Sequence, residues 1–217
     1  ADTVLPVVPM FHAAAWGLPY MAVLSGAKIV FPGPHLDPTS LLDLMAAEKA
    51  TIAGGVPTIW IGILAMLDRE AKRWDLSSIR AMVIGGSAVP KAMAEAFKDR
   101  YGVSVLQIWG MTETCPLGVV ATPTPALAEL GEEAMDDAIW TRQGRLQFGI
   151  ELKVVDEDGQ TLPHDGESSG ALMVRGPWSI RRYFRKEEDV IDADGWFDTG
   201  DIATLDQYGF MRITDRK

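Results

Sequence analysis

Residues 81–110 read AMVIGGSAVPKAMAEAFKDRYGVSVLQIWG. The segment begins with a short apolar run, leaves it through two glycines, and re-enters a regular stretch at Pro90. Proline at the start of a helix is a good amino-terminal signal, because the N–H it lacks would have no partner there. PKAMAEAFKDRYG (90–102) therefore predicts a helix, and VSVLQIW (103–109) predicts a second strand. Strand, helix and strand at this spacing argue for a parallel pair covered by its crossover helix.

The alternation extends upstream. VLPVVPM (4–10), AKIVF (27–31) and TIAGG (51–55) suit buried strands, and 37–50 and 57–74 suit helices opened by Asp37–Pro38 and Pro57. The expected class is α/β, a mostly parallel sheet covered by helices. Near residue 120 the pattern changes. Residues 122–144 are proline-punctuated and then acidic and helical; short strands follow in IELKVVDEDGQ, GALMVRGP, GWFDTGDIATL and YGFMRIT. DEDG (156–159) and DADG (192–195) read as turns with glycine at positive φ. The second half is expected to form a small antiparallel sheet or barrel. The predicted organisation is an α/β subdomain over 1–121, an acidic helical connection over 122–144 and a β-rich subdomain over 145–217. The chain enters its first strand almost at once and stops directly after its last, which predicts a fragment of a longer protein.

Charge is uneven along the chain. The net charge is −10, with 9 Lys+Arg against 10 Asp+Glu in residues 1–120 and 11 against 20 in 121–217. No basic face is concentrated anywhere, so nucleic acid is not an expected partner. No apolar run reaches the ~18 residues of a transmembrane segment. The single cysteine, Cys115, cannot form an internal disulfide, and three scattered histidines do not build a metal cluster with it. A reducing, cytoplasmic setting is the expectation.

Open α/β sheets bind ligands at the carboxyl ends of their strands. Three such exits carry notable residues: VVPMFH (7–12), VIGGSAVP (83–90) and IWGMTET (108–114). Each has a plain structural reading as well. The glycine pair can be a tight turn, His12 a packed histidine, and Trp16 a core residue on an apolar helix. Thr112 and Glu113 can cap a helix or hold a metal and a phosphate. Asp198 and Asp201 in GWFDTGD can be paired acid/base carboxylates or an Asx turn between strands. Cys115 has no histidine near it in sequence and is set aside as a nucleophile.

Taken in order, PMFH, AGGVPT, GGSAVP, WGMTET, GWFDTGD and TDRK resemble the successive motifs of the acyl-adenylate-forming (AMP-binding) enzymes. The resemblance runs over essentially the whole chain. It is closest to the medium- and long-chain fatty-acid–CoA ligases, including the 3-methylmercaptopropionate branch, through VVPMFHAAAWGLPY, FPGPHLDPTSL and GGSAVP. It implies a two-step reaction: a carboxylate attacks the α-phosphate of ATP to give acyl-AMP and pyrophosphate, and the thiol of CoA then displaces AMP. The implied cofactors are ATP/AMP, Mg2+ and CoA, and the implied partner is a fatty or other small apolar carboxylic acid. For the full-length protein the resemblance leaves room for a homodimer.

By the same resemblance, Glu113 is the Mg2+ ligand and Thr112 bonds the α-phosphate. Gly85, Gly86, Ser87 and Ala88 lie against adenine, with Trp109, Gly110 and Met111 on the nucleotide side. Trp109 stands where relatives often have tyrosine. Asp201 accepts from the ribose hydroxyls, and Arg216 is the hinge-region arginine. On the acyl side, His12 lies beside the substrate carboxylate, Trp16 gates the acyl tunnel, and Val56, Pro57 and Thr58 line it. One departure is visible: Arg182 precedes Tyr183 where relatives usually have glycine, which puts the local backbone geometry in doubt. A phosphate loop before residue 1 and a lysine-bearing domain after Lys217 are expected to be missing, so the isolated piece is expected to be inactive. Two alternatives stay open: an enzyme loading an amino or aryl acid onto a carrier protein, and a non-catalytic nucleotide-binding module.

Overall fold

A computed structural model describes residues 1–70 and 72–217. The chain divides into two compact units, 1–107 and 108–217, and the division falls inside one strand, β5 (Ser104–Gly110).

The first unit holds a parallel sheet in the order β2 (Lys28–Ile29), β1 (Thr3–Pro6), β3 (Ile52–Gly55), β4 (Ala81–Ile84) and β5. Three crossover helices connect it: α3 (Pro38–Glu48), α4 (Pro57–Arg69) and α5 (Lys91–Tyr101). This is the α/β architecture expected from the alternation. The helix starts follow from local chemistry. Asp37 caps α3 by accepting the Ser40 N–H at 3.0 Å, and Pro38 fills the first turn. That bond and its neighbours hold the Asp37 carboxyl below its usual range. On α4, Trp60, Ile63 and Leu67 are fully buried and form its core stripe. The helix expected over 57–74 ends at Arg69, and Ala71 within that span lies outside the described residues.

One local expectation fails. Ala13–Trp16 (α1) is not an ordinary helical turn leading into α2 (Leu18–Leu24). All four residues have positive φ, from 40° at Ala13 to 56° at Trp16, and the Trp16 N–H reaches the His12 carbonyl at 3.2 Å. This is one left-handed turn made of residues with a Cβ, a conformation that costs about 1–2 kcal/mol per residue. It sets the direction in which Trp16 leaves the backbone.

The second unit is an antiparallel sheet in the order β5, β6 (Leu117–Val120), β7 (Gly144–Leu146), β11 (Phe210–Arg216), β10 (Phe197–Leu205), β9 (Gly170–Arg175) and β8 (Glu151–Val155). Residues 122–144 contribute α6 (Pro125–Ala128) and α7 (Glu132–Thr141) to this unit. Its core gathers Trp109, Val119, Leu152, Leu172, Val174 and Phe197 with their neighbours. The predicted turns are made by aspartate side chains. Asp156 Oδ1 accepts the N–H groups of Asp158 and Gln160, and Asp192 Oδ1 those of Asp194 and Trp196. Asp206 repeats the device with Tyr208 and Phe210 before β11.

Candidate active site

In the first unit the strand ends at β1, β3 and β4 present the acyl-side and adenine-side candidates. Gly86 follows β4 at φ 85°, a left-handed conformation that favours glycine. A Cβ built there would lie 3.3 Å from Cγ1 of Val56 and 3.9 Å from Cζ2 of Trp16. Gly86, Val56 and Trp16 thus converge, although they lie far apart in sequence. Gly86, Ser87 and Ala88 are exposed, Gly85 is buried, and Val89 is tied down by its N–H donating to Oε1 of the buried Gln107 at 3.3 Å. Gln107 is a loop-positioning residue that no motif singled out. His12 is exposed, with its ring centroid 4.8 Å from that of Phe11. Pro57 is buried at the start of α4, while Thr58 beside it is exposed. An apolar recess of about 230 Å³ opens at the end of β1, lined by residues including Val7, Met10, Phe31 and Leu36. None of the predicted acyl-side residues lines it.

In the second unit, β5 runs through Trp109 and Gly110 into a single 3-10 turn, Thr112–Thr114. The two threonines that bracket Glu113 do different work. Thr114 is fully buried, accepts the Met111 N–H at 3.0 Å and lies 2.7 Å from the Pro116 carbonyl, so it locks the turn. Thr112 is exposed. Glu113 is half-buried, and its Oε1 accepts the phenol of Tyr183 at 2.9 Å. The carboxylate beside it raises the pKa of that phenol.

Trp109 is 8% exposed and packs in the core of this unit. Gly118 makes room for it: a Cβ at Gly118 would lie 2.5 Å from Cζ3 of the indole. The indole Nε1–H donates to Oδ2 of Asp201 at 2.9 Å. Asp201 is itself 8% exposed and pairs with Arg216 in the β10–β11 register, with Arg216 Nε 3.6 Å from Oδ1. The neighbouring Asp198 holds Lys217 Nζ at 2.6 Å and the Gly200 N–H at 3.0 Å. Burial works against the charged form of Asp198, but these two bonds outweigh it and its pKa is lowered.

Tyr183 and Gln107 could not be assigned from sequence, because their partners lie 70 and 18 residues away. The doubt over Arg182 resolves structurally. Arg182 lies outside the left-handed region, where only Arg185 of that loop sits at φ 61°, and its guanidinium bonds Asp189 at 2.8 Å.

The donor set suits one kind of cation. Among the described residues no three His, Cys, Asp or Glu side chains are grouped to hold a metal. A lone carboxylate beside an exposed hydroxyl fits Mg2+, which keeps waters and shares its ligands with substrate phosphates, and does not fit an all-protein cage. Also among the described residues, no helix is long and apolar enough to cross a membrane.

The first unit thus carries an exposed glycine-rich strand exit, and the second a Thr-Glu turn together with a buried aspartate on β10. The family model described as "AMP-binding enzyme" matches residues 1–184, and the chain belongs to that family. Similar proteins include the 3-methylmercaptopropionyl-CoA ligase of Ruegeria pomeroyi, 49% identical over 215 residues, and the medium-chain-fatty-acid–CoA ligase of Ectopseudomonas oleovorans, 48% identical over 217. Each alignment covers 99% of this chain and 39% of the relative, so the chain spans about two fifths of their length. Among solved structures, the O-succinylbenzoate coenzyme A synthetase of Bacillus subtilis, in complex with ATP and magnesium ion, superposes with a TM-score of 0.77 at 28% identity. That match covers 99% of this chain and 42% of the other.

Proposed function

We propose that these 217 residues are the nucleotide- and acyl-binding part of an ATP-dependent acyl-CoA ligase acting on medium- or long-chain fatty acids or a short thioether acid. The observation that carries this reading is the Thr112–Glu113 turn. Thr114 is locked inside while Thr112 stays exposed beside Glu113, in the same unit as the buried Asp201. The names of the relatives support the reaction class and the range of acids.

In the first step the substrate carboxylate oxygen bonds to the α-phosphorus and pyrophosphate leaves. In the second, the CoA thiolate bonds to the acyl carbon and AMP leaves. Substrate groups supply both nucleophiles, so the protein's part is to place them and to meet the charge. One well-aimed contact of that kind is worth on the order of 10²–10³ in rate. Thr112 donates to the α-phosphate. Asp201, an acceptor-only group, takes the ribose hydroxyls, with Arg216 beside it. Mg2+ held by Glu113 would neutralise phosphate charge. Gly85 to Ala88 lie along adenine, His12 orients the carboxylate, and Trp16, Val56 and Thr58 contact the acyl chain. The setting proposed is cytoplasmic, and the full-length enzyme is read as able to dimerise.

Fatty-acid-driven ATP–pyrophosphate exchange tests the proposal. The full-length enzyme should catalyse it, Glu113→Ala should abolish it, and the 217 residues alone should not support it. A screen from short to long acids, with aryl acids included, identifies the substrate. Exchange driven only by amino or aryl acids would overturn the reading.

A further inference from the structure

We infer that Tyr183 is a positioning residue for the Glu113 carboxylate, fixing the orientation in which that group meets a divalent cation. The inference rests on the proposed role of Glu113. Two bonds from one loop hold this residue: the Tyr183 phenol donates to Oε1 at 2.9 Å, and the Ile180 N–H donates to the Glu113 main-chain carbonyl at 2.7 Å. Side chain and backbone are thereby fixed together. The phenol occupies Oε1 and leaves Oε2 for a cation.

The loop is braced independently of Glu113. Arg181 and Arg182 both bond Asp189, at 2.9 and 2.8 Å, and the Val190 N–H returns to the Arg181 carbonyl at 2.9 Å. Ser179 Oγ adds a bond to the Gly176 carbonyl at 2.8 Å. Tyr183 is 44% exposed, so its hydroxyl has little to contribute to folding, whereas an unsupported glutamate beside it would sample several rotamers. Partners that orient metal ligands typically change metal affinity 10–100-fold when removed.

The test uses the full-length enzyme with ATP and no acid, so that nothing turns over, and titrates Mn2+ by electron paramagnetic resonance. Tyr183→Phe should weaken Mn2+ binding about tenfold and leave ATP binding in EDTA unchanged. Phe184→Ala in the same loop should leave the titration as in wild type. Glu113→Gln should weaken it, and adding Tyr183→Phe to that variant should have no further effect. Wild-type Mn2+ affinity in Tyr183→Phe, with Glu113→Gln weakened, would overturn the inference and spare the role of Glu113. Unchanged affinity in Glu113→Gln would overturn both. If Tyr183→Phe also lowers the melting temperature, the titration is repeated at a temperature where the variant is fully folded: affinity still about tenfold weaker supports the inference and wild-type affinity overturns it.

Discussion

The Trp109 indole and the Asp201 carboxylate, 92 residues apart in sequence, form a buried 2.9 Å hydrogen bond. Trp109 therefore acts through its N–H as well as through the burial of its ring in the core of the unit. It secures the carboxylate proposed to read the ribose. Breaking this bond leaves a buried charge one donor short, and a hydrogen bond to a charged group contributes about 1.5–3 kcal/mol. Trp109→Phe should destabilise the protein by at least that much, since ring area is lost as well. A double-mutant cycle with Asp201→Ala, which removes the acceptor, followed by denaturant unfolding, should return a coupling of about 1–3 kcal/mol. A coupling near zero would show the bond to be incidental.

The two threonines of the 3-10 turn should separate stability from activity. Thr114→Val leaves the Met111 N–H without its acceptor in a fully buried position and should cost about 1–3 kcal/mol in unfolding free energy. Thr112→Val, at an exposed position, should stay within about 0.5 kcal/mol of wild type. In the full-length enzyme it should nevertheless slow acyl-AMP formation by about 10²-fold. Single-turnover adenylation together with melting curves checks both.

Gly86→Ala introduces a methyl group at φ 85°, 3.3 Å from Val56 and 3.9 Å from Trp16. The strain should cost about 1–2 kcal/mol, and the narrowed gap should lower kcat/KM for long acids more than for short ones. Equal losses across chain lengths would separate this convergence from acyl selection.

Asp165 gives a pH signature. Bonds from the Ser168 N–H and hydroxyl, with the Glu167 N–H, lower its carboxyl to about 2. The folded value lies below the unfolded one. The stabilisation is therefore fully present above the ordinary value of 3.8 and is lost as pH falls through about 2. Asp165→Asn should flatten the acid limb of stability over that window, measured by unfolding at stepped pH.

The alternation of the first unit was legible in sequence because strand and helix periods are local, and so were the aspartate turns at 156–159 and 192–195. What escaped was non-local or contrary to propensity. Nothing in WGMTET names Tyr183, and nothing in FDTGD names Trp109, because each partner is brought in by tertiary packing 70 and 92 residues away. The short β6 and β7 carry too few residues to show a period. The sequence reading puts Trp16 on an apolar helix, and residues 13–16 instead turn left-handed.

That reversal inverts the customary ranking of residues. In a right-handed helix alanine is preferred and glycine is penalised. At Ala14, held at φ 54° and ψ 47°, the mirror-symmetric residue becomes the comfortable one. Ala14→Gly should raise stability by roughly 0.5–1 kcal/mol. It should also give the Trp16 indole more than one resting orientation, visible as a broadened tryptophan fluorescence lifetime distribution. On this view the methyl groups of the three alanines hold a single aromatic ring at one address.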